Sequence, residues 1–382
     1  MKNIDIDSLP TPSYIMEERL LRDNLEILKQ IQDSSGLNIL MALKGFALWK
    51  SFPLIKDYLI GTSASGLHEA LLGFEEFGDE VHTYSPAFNP NEIHKIAKIS
   101  KKIIFNSFSQ LEKYYDVVKD VNPNISIGIR LNPEYSSTEV DLYNPCSPFS
   151  RLGVVETEFK KHIENWIEKV DGFHIHGLCE QGVEDLEPLF LAFESKFGNY
   201  FKYLRWINLG GGHLITRKDY DIERLIEFVK NFYKKYPNIK LYIEPSEAIG
   251  WETGFLLSEV LDIVHNKIDI AILDTSAEAH MPDVLAMPYR PNIIGAVEKS
   301  GDFSYRLAGN SCLAGDIIGD YQFKTKLNIG DKVIFKDMIH YTMVKNSTFN
   351  GLPLPSILII KENGVVETVK KFGYIDYKNR LS

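Results

Sequence analysis

The sequence predicts an α/β fold in which a TIM-like (β/α)8 barrel is followed by a smaller β-rich domain. Short apolar, β-branched runs alternate with longer helix-like segments over residues 38–245. Alternation of this kind implies parallel strands, and eight such units suggest a closed barrel rather than an open sheet. After Gly250 the pattern changes to strands joined by turns, so a second domain is expected there.

Each barrel strand is predicted from one short apolar run. In chain order these runs are NILMAL, LIG, VHTY, KIIF, ISIGIR, FHIH, INL and KLYIE. The segments between them are predicted to be helices, because stretches such as ERLIEFVKNFY have apolar residues at helical spacing on one face. The helix candidates include SGLHEALLGFEEF, NPNEIHKIAKIS, SQLEKYYDVVKD, VVETEFKKHIENWIEKV and YDIERLIEFVKNFYKKY.

The second domain is predicted from strand-like runs that are joined by turn signals. These runs are LLSEVLDIVH, IDIAILD, YRLAG, DKVIFKD, SILIIKENG and VVETVKKFGYIDY. The N-terminal piece PTPSYIMEERL is expected to join them, because its YIM run precedes the first barrel unit. The predicted domains are therefore residues 20–250 for the barrel, and residues 1–19 with 251–382 for the β-rich part.

Composition excludes several classes of function. The 382 residues carry 52 acidic and 42 basic side chains, a formal net charge of -10, which argues against a nucleic-acid partner. The three cysteines, Cys146, Cys179 and Cys312, match neither a disulfide framework nor a zinc site, as is typical of a reducing compartment. The N-terminus lacks a signal-peptide pattern, and no apolar run is long enough to cross a bilayer. We expect a cytoplasmic protein that binds neither nucleic acid nor membrane.

Polar residues follow the predicted barrel strands, at the end of the barrel where active sites of this fold lie. They are Lys44, Ser63, Ser85, Asn106, Arg130, His176, Gly210–Gly212 and Glu244. A lysine amine, a glycine loop that lets backbone approach a phosphate, an imidazole and a carboxylate together describe a pyridoxal phosphate site. Lys44 would bind the cofactor covalently, which requires that its pKa fall below the ~10.4 of a free lysine.

Each of these residues also has an ordinary explanation when taken alone. The glycines could form a flexible turn, Glu244 could be a surface carboxylate, and His176 could be a structural histidine. The HxH pair at His174 and His176 lacks further ligands at informative spacing, so no metal site is expected.

The order and spacing of several motifs resemble the fold III pyridoxal-phosphate decarboxylases, the group of ornithine and diaminopimelate decarboxylases. The motifs are MALKGF, SASGLHEA, GFHIHGL, INLGGG, IEPSE, GNSCLAGD and HYTMVKNSTFNGLP. The resemblance covers nearly the whole chain. It implies an alanine-racemase-like barrel that binds pyridoxal 5'-phosphate, a β-rich domain, and a head-to-tail homodimer whose active sites are shared between subunits.

The resemblance also implies residue roles. Lys44 would bind the cofactor, His176 would stack on its ring, and Glu244 would pair with the pyridine nitrogen. Gly210, Gly211 and Gly212 would form the phosphate loop, and Tyr341 would reach the phosphate. Cys312, delivered from the other subunit, would return a proton to the substrate carbon after carbon dioxide leaves.

Departures from the family pattern indicate the substrate. Where relatives read EPGR this chain reads EPSE, so Glu247 replaces an arginine and would attract an amine rather than a carboxylate. The stretch DTSAEAHMPDVLAMPYRP is similar to the branch of carboxynorspermidine/carboxyspermidine decarboxylases. A cationic triamine substrate needs acidic partners. The candidates are Glu247, Asp283, Asp274, Glu278 and Asp316.

The resemblance implies a carboxy-lyase of polyamine biosynthesis that converts carboxynorspermidine or carboxyspermidine to norspermidine or spermidine. Three alternatives stay open. One is a decarboxylase of diaminopimelate, ornithine or lysine. Another is an amino-acid racemase, although Cys312 stands where alanine racemase needs a tyrosine. The last is the pyridoxal-phosphate homeostasis protein, which is a bare barrel and lacks a counterpart to the residues after Gly250.

Overall fold

The computed structural model describes residues 4–78, 80–138, 140–287 and 289–382. The chain divides into two compact units, one formed by Asn24–Ile249 and one formed by Met1–Asp23 together with Gly250–Ser382. In the described ranges, every helix is too short or too polar to cross a membrane.

Strands and helices alternate along the first part of the chain, and strands dominate the last part. The strands are β1 (Ser13–Glu17), β2 (Asn38–Ala42), β3 (Gly61–Ala64), β4 (Val81–Tyr84), β5 (Lys102–Phe105), β6 (Ser126–Arg130), β7 (Gly172–His174), β8 (Trp206–Asn208), β9 (Lys240–Ile243), β10 (Gly254–Asn266), β11 (Ile268–Leu273), β12 (Ala296–Val297), β13 (Phe303–Ala308), β14 (Ile317–Phe323), β15 (Lys332–Lys336), β16 (Ser356–Ile360) and β17 (Val366–Lys370). The α-helices are α1 (Glu18–Ser35), α2 (Phe52–Ile55), α3 (Leu67–Leu72), α4 (Ile93–Ile99), α5 (Phe108–Val121), α6 (Glu156–His162), α7 (Val183–Phe197), α8 (Ile222–Lys235), α9 (Glu247–Gly250), α10 (Ala277–His280), α11 (Asp283–Ala286), α12 (Tyr341–Val344) and α13 (Tyr374–Leu381). Short 3-10 segments are Ile6–Ser8, Trp49–Ser51, Asp141–Tyr143, Ile163–Asn165, Gly198–Tyr203 and Phe349–Gly351, and Gly73–Phe77 is a π-helical turn.

In the described residues, strands β2 to β9 form a closed eight-stranded parallel barrel. Each strand pairs with the next along the chain, and β2 pairs with β9 to close the ring. The predicted TIM-like barrel is therefore confirmed. The second strand differs from its predicted run, because the structure places it over GTSA rather than LIG. Its small polar side chains, Thr62 and Ser63, are buried between β2 and β4, a position that strand prediction from apolar runs does not detect.

The helices of the barrel pack through apolar stripes. In α8, Leu225, Ile226, Val229 and Phe232 are buried at spacings of one, three and three residues, as the ERLIEFVKNFY pattern predicted. The helix begins where the Asp221 side chain accepts a hydrogen bond from the Arg224 N–H. Helix α7, whose sequence was not named among the helix candidates, buries six apolar side chains on the same principle.

Aromatic side chains fill much of the space between β7 and the helices around it. Phe159, Phe173, Phe193, Phe197 and Phe201 are each fully buried, with ring centroids 5.0–6.5 Å apart in edge or tilted contacts. Burying one phenylalanine contributes roughly 1.5–3 kcal/mol. This cluster therefore holds β7 rigidly, and β7 leads directly to His176.

Large and charged side chains fill the interior of the barrel below the strand ends. Trp206 occupies space that exists because β7 has a glycine at position 172, where an added Cβ would lie 2.1 Å from the indole. At the start of β5, Lys102 Nζ lies 2.8 Å from Glu80 Oε1 and 2.9 Å from His82 Nε2. The barrel therefore has a packed, partly ionic interior and is not a pore.

The second unit contains a mixed sheet with the strand order β12-β14-β13-β11-β10-β1-β16-β17, and β15 also pairs with β10. The N-terminal strand β1 lies in this sheet, antiparallel to β10 and parallel to β16. This sheet differs in part from the prediction. Strands β12 and β14 were not predicted, and the segment GYIDY, predicted as strand, starts α13. There the Asp376 carboxylate accepts a hydrogen bond from the Gly373 N–H and caps the helix.

Candidate active site

Lys44 lies two residues beyond the end of β2, and its backbone is held by the neighbouring strands. The Leu43 N–H donates to Ser63 O at 3.0 Å, and the Ala42 N–H donates to Pro245 O at 3.2 Å. The chain then turns sharply, because the Gly45 N–H returns to Ala42 O at 3.3 Å. Lys44 is therefore fixed between the ends of β3 and β9, at the end of the barrel that the sequence analysis predicted.

The environment of Lys44 favours its neutral form. Burial of the side chain is the main factor that lowers its pKa, and the Arg130 guanidinium lowers the pKa further. Glu244 and Glu69 act in the opposite direction. A lysine with a lowered pKa is a better nucleophile toward an aldehyde, because more of it carries a free lone pair.

Glu244 follows β9 and is held by two side chains of adjacent strands. Asn208 Nδ2 donates to Glu244 Oε1 at 2.6 Å, and His174 Nε2 lies 3.5 Å from Glu244 Oε2. Burial by itself would raise the pKa of Glu244, but His174 and His82, with the Asn208 amide, lower it to about 2. The carboxylate is therefore ionised at neutral pH and can pair with a protonated ring nitrogen.

His176 lies two residues beyond β7, and its ring is held by the glycine segment. Its Nδ1 accepts a hydrogen bond from the Gly211 N–H at 2.8 Å. Burial, followed by the positive charges of Lys44 and Arg130, lowers the pKa of His176 well below its usual value. The imidazole is thus neutral, and because Nδ1 is the acceptor, its proton is on Nε2.

The glycine segment passes close to the residues that follow two other strands, β7 and β9. An added Cβ would lie 2.6 Å from His176 Nδ1 at Gly210, 2.5 Å from Glu244 O at Gly211, and 2.1 Å from Leu178 O at Gly212. Gly210 and Gly212 also have positive φ, at 74° and 86°. Only glycine satisfies both conditions, so close approach of the backbone is built into this segment.

Hydrogen bonds within the protein reduce the number of glycine N–H groups in this segment that could bind a phosphate. The Gly210 N–H donates to Asn208 Oδ1 at 2.9 Å, and the Gly211 N–H donates to His176 Nδ1. These two amides are therefore occupied by the protein. In the described part of the chain the Gly212 N–H has no protein acceptor, so of the three amides it alone stays open to a phosphate.

Three residues that organise this site, Tyr84, His174 and Asn208, were not predicted as site residues, although the strand pattern contains a signal for them. Side chains at alternate positions of a barrel strand face the interior. His174 lies two residues before His176, and Asn208 lies two residues before Gly210, so both are expected on the same side of the chain as the predicted site residues. His174 stacks on Tyr84 with ring centroids 5.6 Å apart, and Arg130 lies 4.7 Å from the Tyr84 ring centre. His174 and Arg130 therefore lie within electrostatic reach of Lys44, and His174 also lies beside Glu244.

The barrel residues fit a pyridoxal phosphate. Lys44 offers an amine with a lowered pKa, Glu244 an ionised carboxylate, and His176 a neutral ring. The glycine backbone forms a passage that any Cβ would fill. The structure thus places Lys44, His176, Gly210–Gly212 and Glu244 together at one end of the barrel.

Glu247 lies at the same end of the barrel, at the start of α9, three residues after Glu244. The Cys179 thiol lies near both Glu247 and Lys44, since both affect its pKa. Burial raises the pKa of Cys179 to about 11, Glu180 and Glu247 raise it as well, and Lys44 lowers it. Cys179, which the sequence analysis did not consider as a site residue, therefore lies within electrostatic reach of both Lys44 and Glu247.

The sheet-containing unit carries the other predicted site residues, beginning with Cys312 and Tyr341. Cys312 is exposed in the loop between β13 and β14, and its Sγ accepts a hydrogen bond from Asn350 Nδ2 at 3.0 Å. Tyr341 is half-buried at the start of α12, and its ring is nearly perpendicular to the His340 ring, with 6.3 Å between the centroids.

Two of the predicted ammonium-binding carboxylates are used by the chain itself. Asp316 is buried and accepts hydrogen bonds from Ser276 Oγ and from the N–H groups of Ala277, Glu278 and Ser311. Asp274 Oδ1 accepts from Ser258 Oγ at 2.6 Å and from the Glu259 N–H at 2.9 Å. These contacts give both carboxylates a structural role, so their predicted binding of a substrate ammonium loses support.

The other two carboxylates differ from each other. Asp283, at the start of α11, is largely buried and forms an ion pair with Lys345, so an internal cation already neutralises it. Glu278 lies in α10 with a half-buried side chain. Binding of a substrate by either residue stays a prediction. Among the described residues, no cluster of three or more histidine, cysteine, aspartate or glutamate side chains could hold a metal ion.

Comparison with protein families identifies one domain type. A family model described as the pyridoxal-dependent decarboxylase, C-terminal sheet domain, matches residues 14–339. That match covers most of both structural units.

Two curated relatives match the chain from end to end. A carboxynorspermidine/carboxyspermidine decarboxylase from Campylobacter jejuni is 44% identical over 386 residues, which cover 98% of this chain and 99% of the relative. A carboxyaminopropylagmatine decarboxylase from Synechocystis is 45% identical over 383 residues, which cover 100% of this chain and 98% of that relative.

Solved structures agree with the fold. The crystal structure of a carboxynorspermidine decarboxylase complexed with norspermidine, from Campylobacter jejuni, has a TM-score of 0.89 and 43% identity, and covers 97% of this chain and 100% of that one. A diaminopimelate decarboxylase from Helicobacter pylori, complexed with L-lysine, has a TM-score of 0.83 at 18% identity, over 98% of this chain and 97% of that one. At that identity the likeness concerns the fold alone.

Proposed function

The chain belongs to the pyridoxal-dependent decarboxylases, and from that membership we propose that it decarboxylates carboxynorspermidine and carboxyspermidine. The products would be norspermidine and spermidine, which places the enzyme in polyamine biosynthesis. The observation that carries the proposal is the match of 44% identity over nearly the full length of both chains to a relative of that name.

The barrel residues support this activity through the cofactor of the family, pyridoxal phosphate. When bound, the cofactor supplies an electron-accepting ring for the electrons that the departing carboxylate leaves behind. Lys44 would hold it covalently, Glu244 would keep its ring nitrogen protonated, and His176 would pack on the ring. The Gly212 N–H and Tyr341 are the proposed phosphate contacts. Each role rests on the residue's surroundings described above and on the family resemblance.

Cys312 is the proposed proton donor. After carbon dioxide has left, its Sγ–H would protonate the substrate α-carbon. We propose that Cys312 acts in the active site of a partner subunit, so that the working form is a homodimer with shared sites. A cytoplasmic location is proposed because all three cysteines are free thiols, which is typical of a reducing compartment.

Substrate choice is proposed to depend on Glu247. A carboxylate at this position attracts an ammonium or guanidinium group and repels the distal carboxylate of diaminopimelate. A second candidate substrate follows from the Synechocystis relative, whose name specifies carboxyaminopropylagmatine. That molecule ends in a guanidinium rather than a primary ammonium group, and both are cationic partners for a carboxylate.

The test is a carbon dioxide release assay over carboxynorspermidine, carboxyspermidine, carboxyaminopropylagmatine, diaminopimelate, ornithine and lysine. We expect kcat/KM to be highest for one of the first two, at least about 100-fold above the three amino acids. Glu247→Arg should lower kcat/KM for the triamines by more than tenfold while cofactor absorbance is kept.

Lys44→Ala is the control for the chemistry, and it should lose both turnover and the borohydride-reducible absorbance. Preference for diaminopimelate, or racemised product without carbon dioxide, would overturn the proposal. Highest activity on carboxyaminopropylagmatine would replace the first candidate by the second.

A further inference from the structure

One contact to the proposed proton donor is not explained by the family resemblance. Asn350 Nδ2 lies 3.0 Å from Cys312 Sγ, and Asn350 Oδ1 lies 3.4 Å from the same sulfur. An amide can both donate to and accept from a thiol, so Asn350 can hold the sulfur in its protonated and its deprotonated form. The two residues are 38 positions apart in sequence.

The segment that carries Cys312 and the segment that carries Asn350 are both hydrogen-bonded to helix α10. Asp316 accepts from the Ser311 N–H, next to Cys312, and from the Ala277 N–H of α10. The Ser347 N–H, three residues before Asn350, donates to Ala279 O at 2.7 Å in the same helix. Because both segments are hydrogen-bonded to α10, the separation of the amide and the sulfur is determined by the fold rather than by chance contact of two free loops.

The backbone of Asn350 is also specialised. It has φ 57° and ψ 13°, the left-handed region that asparagine tolerates better than other residues with a side chain. The next residue, Gly351, has φ 74°, and a Cβ there would lie 3.5 Å from the Tyr377 ring of α13. Two successive left-handed residues form a tight turn that directs the Asn350 amide to Cys312.

We propose that Asn350 is a positioning residue for the proton that Cys312 delivers, an inference that rests on the proposed function. When the Sγ–H bond breaks, the proton goes to the substrate α-carbon and the electron pair stays on sulfur. The Asn350 amide N–H then donates to the thiolate, which regains a proton from water after the product leaves. Without the amide, the thiolate would lose its hydrogen-bond donor at the moment it forms.

Two of the other ionisable groups near the pair have partners of their own. Asp316 lies in the same loop as Cys312, and Lys345 lies between α12 and Asn350; Glu278 and Tyr377 lie in the neighbouring helices α10 and α13. Asp316 accepts from four donors of the chain, and Lys345 is paired with Asp283. Among the described residues, the Asn350 amide is the group that hydrogen-bonds to Cys312 Sγ.

The test measures alkylation of Cys312 by iodoacetamide as a function of pH in the cofactor-loaded enzyme. Peptide mass spectrometry separates this thiol from Cys146 and Cys179. Asn350→Gly keeps the left-handed backbone and removes the amide, and Asn350→Asp keeps the shape but replaces the N–H donor with a negative charge. We expect the pH of half-maximal alkylation rate to rise by about half a unit or more in the glycine variant, and by about one unit or more in the aspartate variant.

The matched control is Asn363→Asp, which introduces the same charge at an exposed asparagine in the turn between β16 and β17. It should leave the Cys312 alkylation profile unchanged. Identical profiles for the wild-type, Asn350→Gly and Asn350→Asp proteins would overturn the inference. An equal shift in the Asn363→Asp control would overturn it as well, because the effect would then be long-range electrostatics.

A second measurement separates this inference from the proposed function. Cys312→Ala tests whether the thiol serves the reaction, by turnover and by the amount of solvent deuterium placed stereospecifically at the product carbon. If Cys312→Ala keeps full stereospecific turnover, the proposed proton donor is wrong, while a shifted alkylation profile would still establish the Asn350–Cys312 coupling.

Discussion

At the residue scale, the Asn208 amide joins two parts of the candidate cofactor site. Its Nδ2 donates to Glu244 and its Oδ1 accepts from the Gly210 N–H. One buried side chain thus orients the carboxylate proposed for the ring nitrogen and the start of the segment proposed for the phosphate. The residue was absent from the predicted site because an asparagine within a strand carries no chemistry of its own.

Asn208→Asp should weaken cofactor binding. The new carboxylate still accepts from Gly210 but can no longer donate to Glu244, and the two acids repel each other and raise the pKa of Glu244. We expect the cofactor Kd to rise at least about tenfold, or about 1.4 kcal/mol, in an absorbance titration. Asn231→Asp, at an exposed position of α8, is the control and should bind as the wild type does. Equal affinity in both variants would contradict the joining role of Asn208.

At the element scale, both the available space and the backbone angles restrict the glycine segment after β8 to residues without a side chain. Gly212 and Gly36 both have positive φ, at 86° and 80°, but their surroundings differ. A Cβ at Gly212 would overlap Leu178 O at 2.1 Å, whereas at Gly36 it would meet only the Tyr233 ring at 3.5 Å.

The comparison of Gly212→Ala with Gly36→Ala separates these two effects. Gly36→Ala should cost about 1 kcal/mol of the free energy of unfolding, from backbone strain alone. Gly212→Ala should cost at least about 2 kcal/mol more, because Leu178 must move, and should also weaken cofactor binding. Urea unfolding measures the first quantity. Equal losses in the two variants would mean that the segment relaxes without cost.

The barrel strands also carry buried ionisable groups, which predicts sensitivity to acid. Burial is the main factor that lowers the pKa of His82 from 6.5 to about 4. As the pH falls below 6.5 the unfolded chain binds a proton here, whereas the folded barrel does not until about pH 4. The free energy of unfolding should therefore decrease over this window, by on the order of 3 kcal/mol from His82.

His82→Gln should flatten that pH dependence. Glutamine can keep a hydrogen bond near Glu80 and Lys102 but does not titrate, so its unfolding free energy should change less between pH 6.5 and 4. Urea unfolding across this range measures the effect. His265→Gln is the control, since His265 is exposed and paired on the surface. A wild-type slope in the His82 variant would refute this account of the barrel interior.

At the scale of the whole molecule, the proposed activity divides its residues between two units. Lys44, His176 and Glu244 belong to Asn24–Ile249, and Cys312 and Tyr341 belong to Gly250–Ser382. The assignment of cofactor binding to residues 20–250 and the homodimer with shared sites both stay predictions.

Mixing two inactive variants tests the shared-site dimer. If Cys312 acts in the site of its partner, Lys44→Ala and Cys312→Ala subunits should complement each other after exchange. Half of the dimers would be mixed, and each would have one complete site, so activity should recover to about a quarter of wild type. Light scattering would report the dimer. Recovery near zero, with subunit exchange demonstrated by mass spectrometry, would show that each chain uses its own cysteine.

The sequence by itself determined the barrel, its strand order and the end at which Lys44, His176 and Glu244 meet. Parallel strands with helical crossovers leave one end of the barrel for their carboxyl termini, so spacing along the chain was sufficient. The sequence also indicated the family, through MALKGF and INLGGG. Its EPSE motif indicated that the substrate carries an amine. Strand β3 was misplaced because burial between neighbouring strands, rather than apolar sequence, holds GTSA in the sheet.

Only the tertiary structure decided which candidate side chains already have partners. The acidic residues of 274–283 and Asp316 look equivalent in sequence, yet Asp316 and Asp274 accept hydrogen bonds from the chain and Asp283 is paired with Lys345. The same is true of Asn208 with Glu244 and of Asn350 with Cys312. The donors of these contacts lie up to 62 residues from their acceptors, and a hydrogen bond of about 3 Å depends on the folded positions of both atoms.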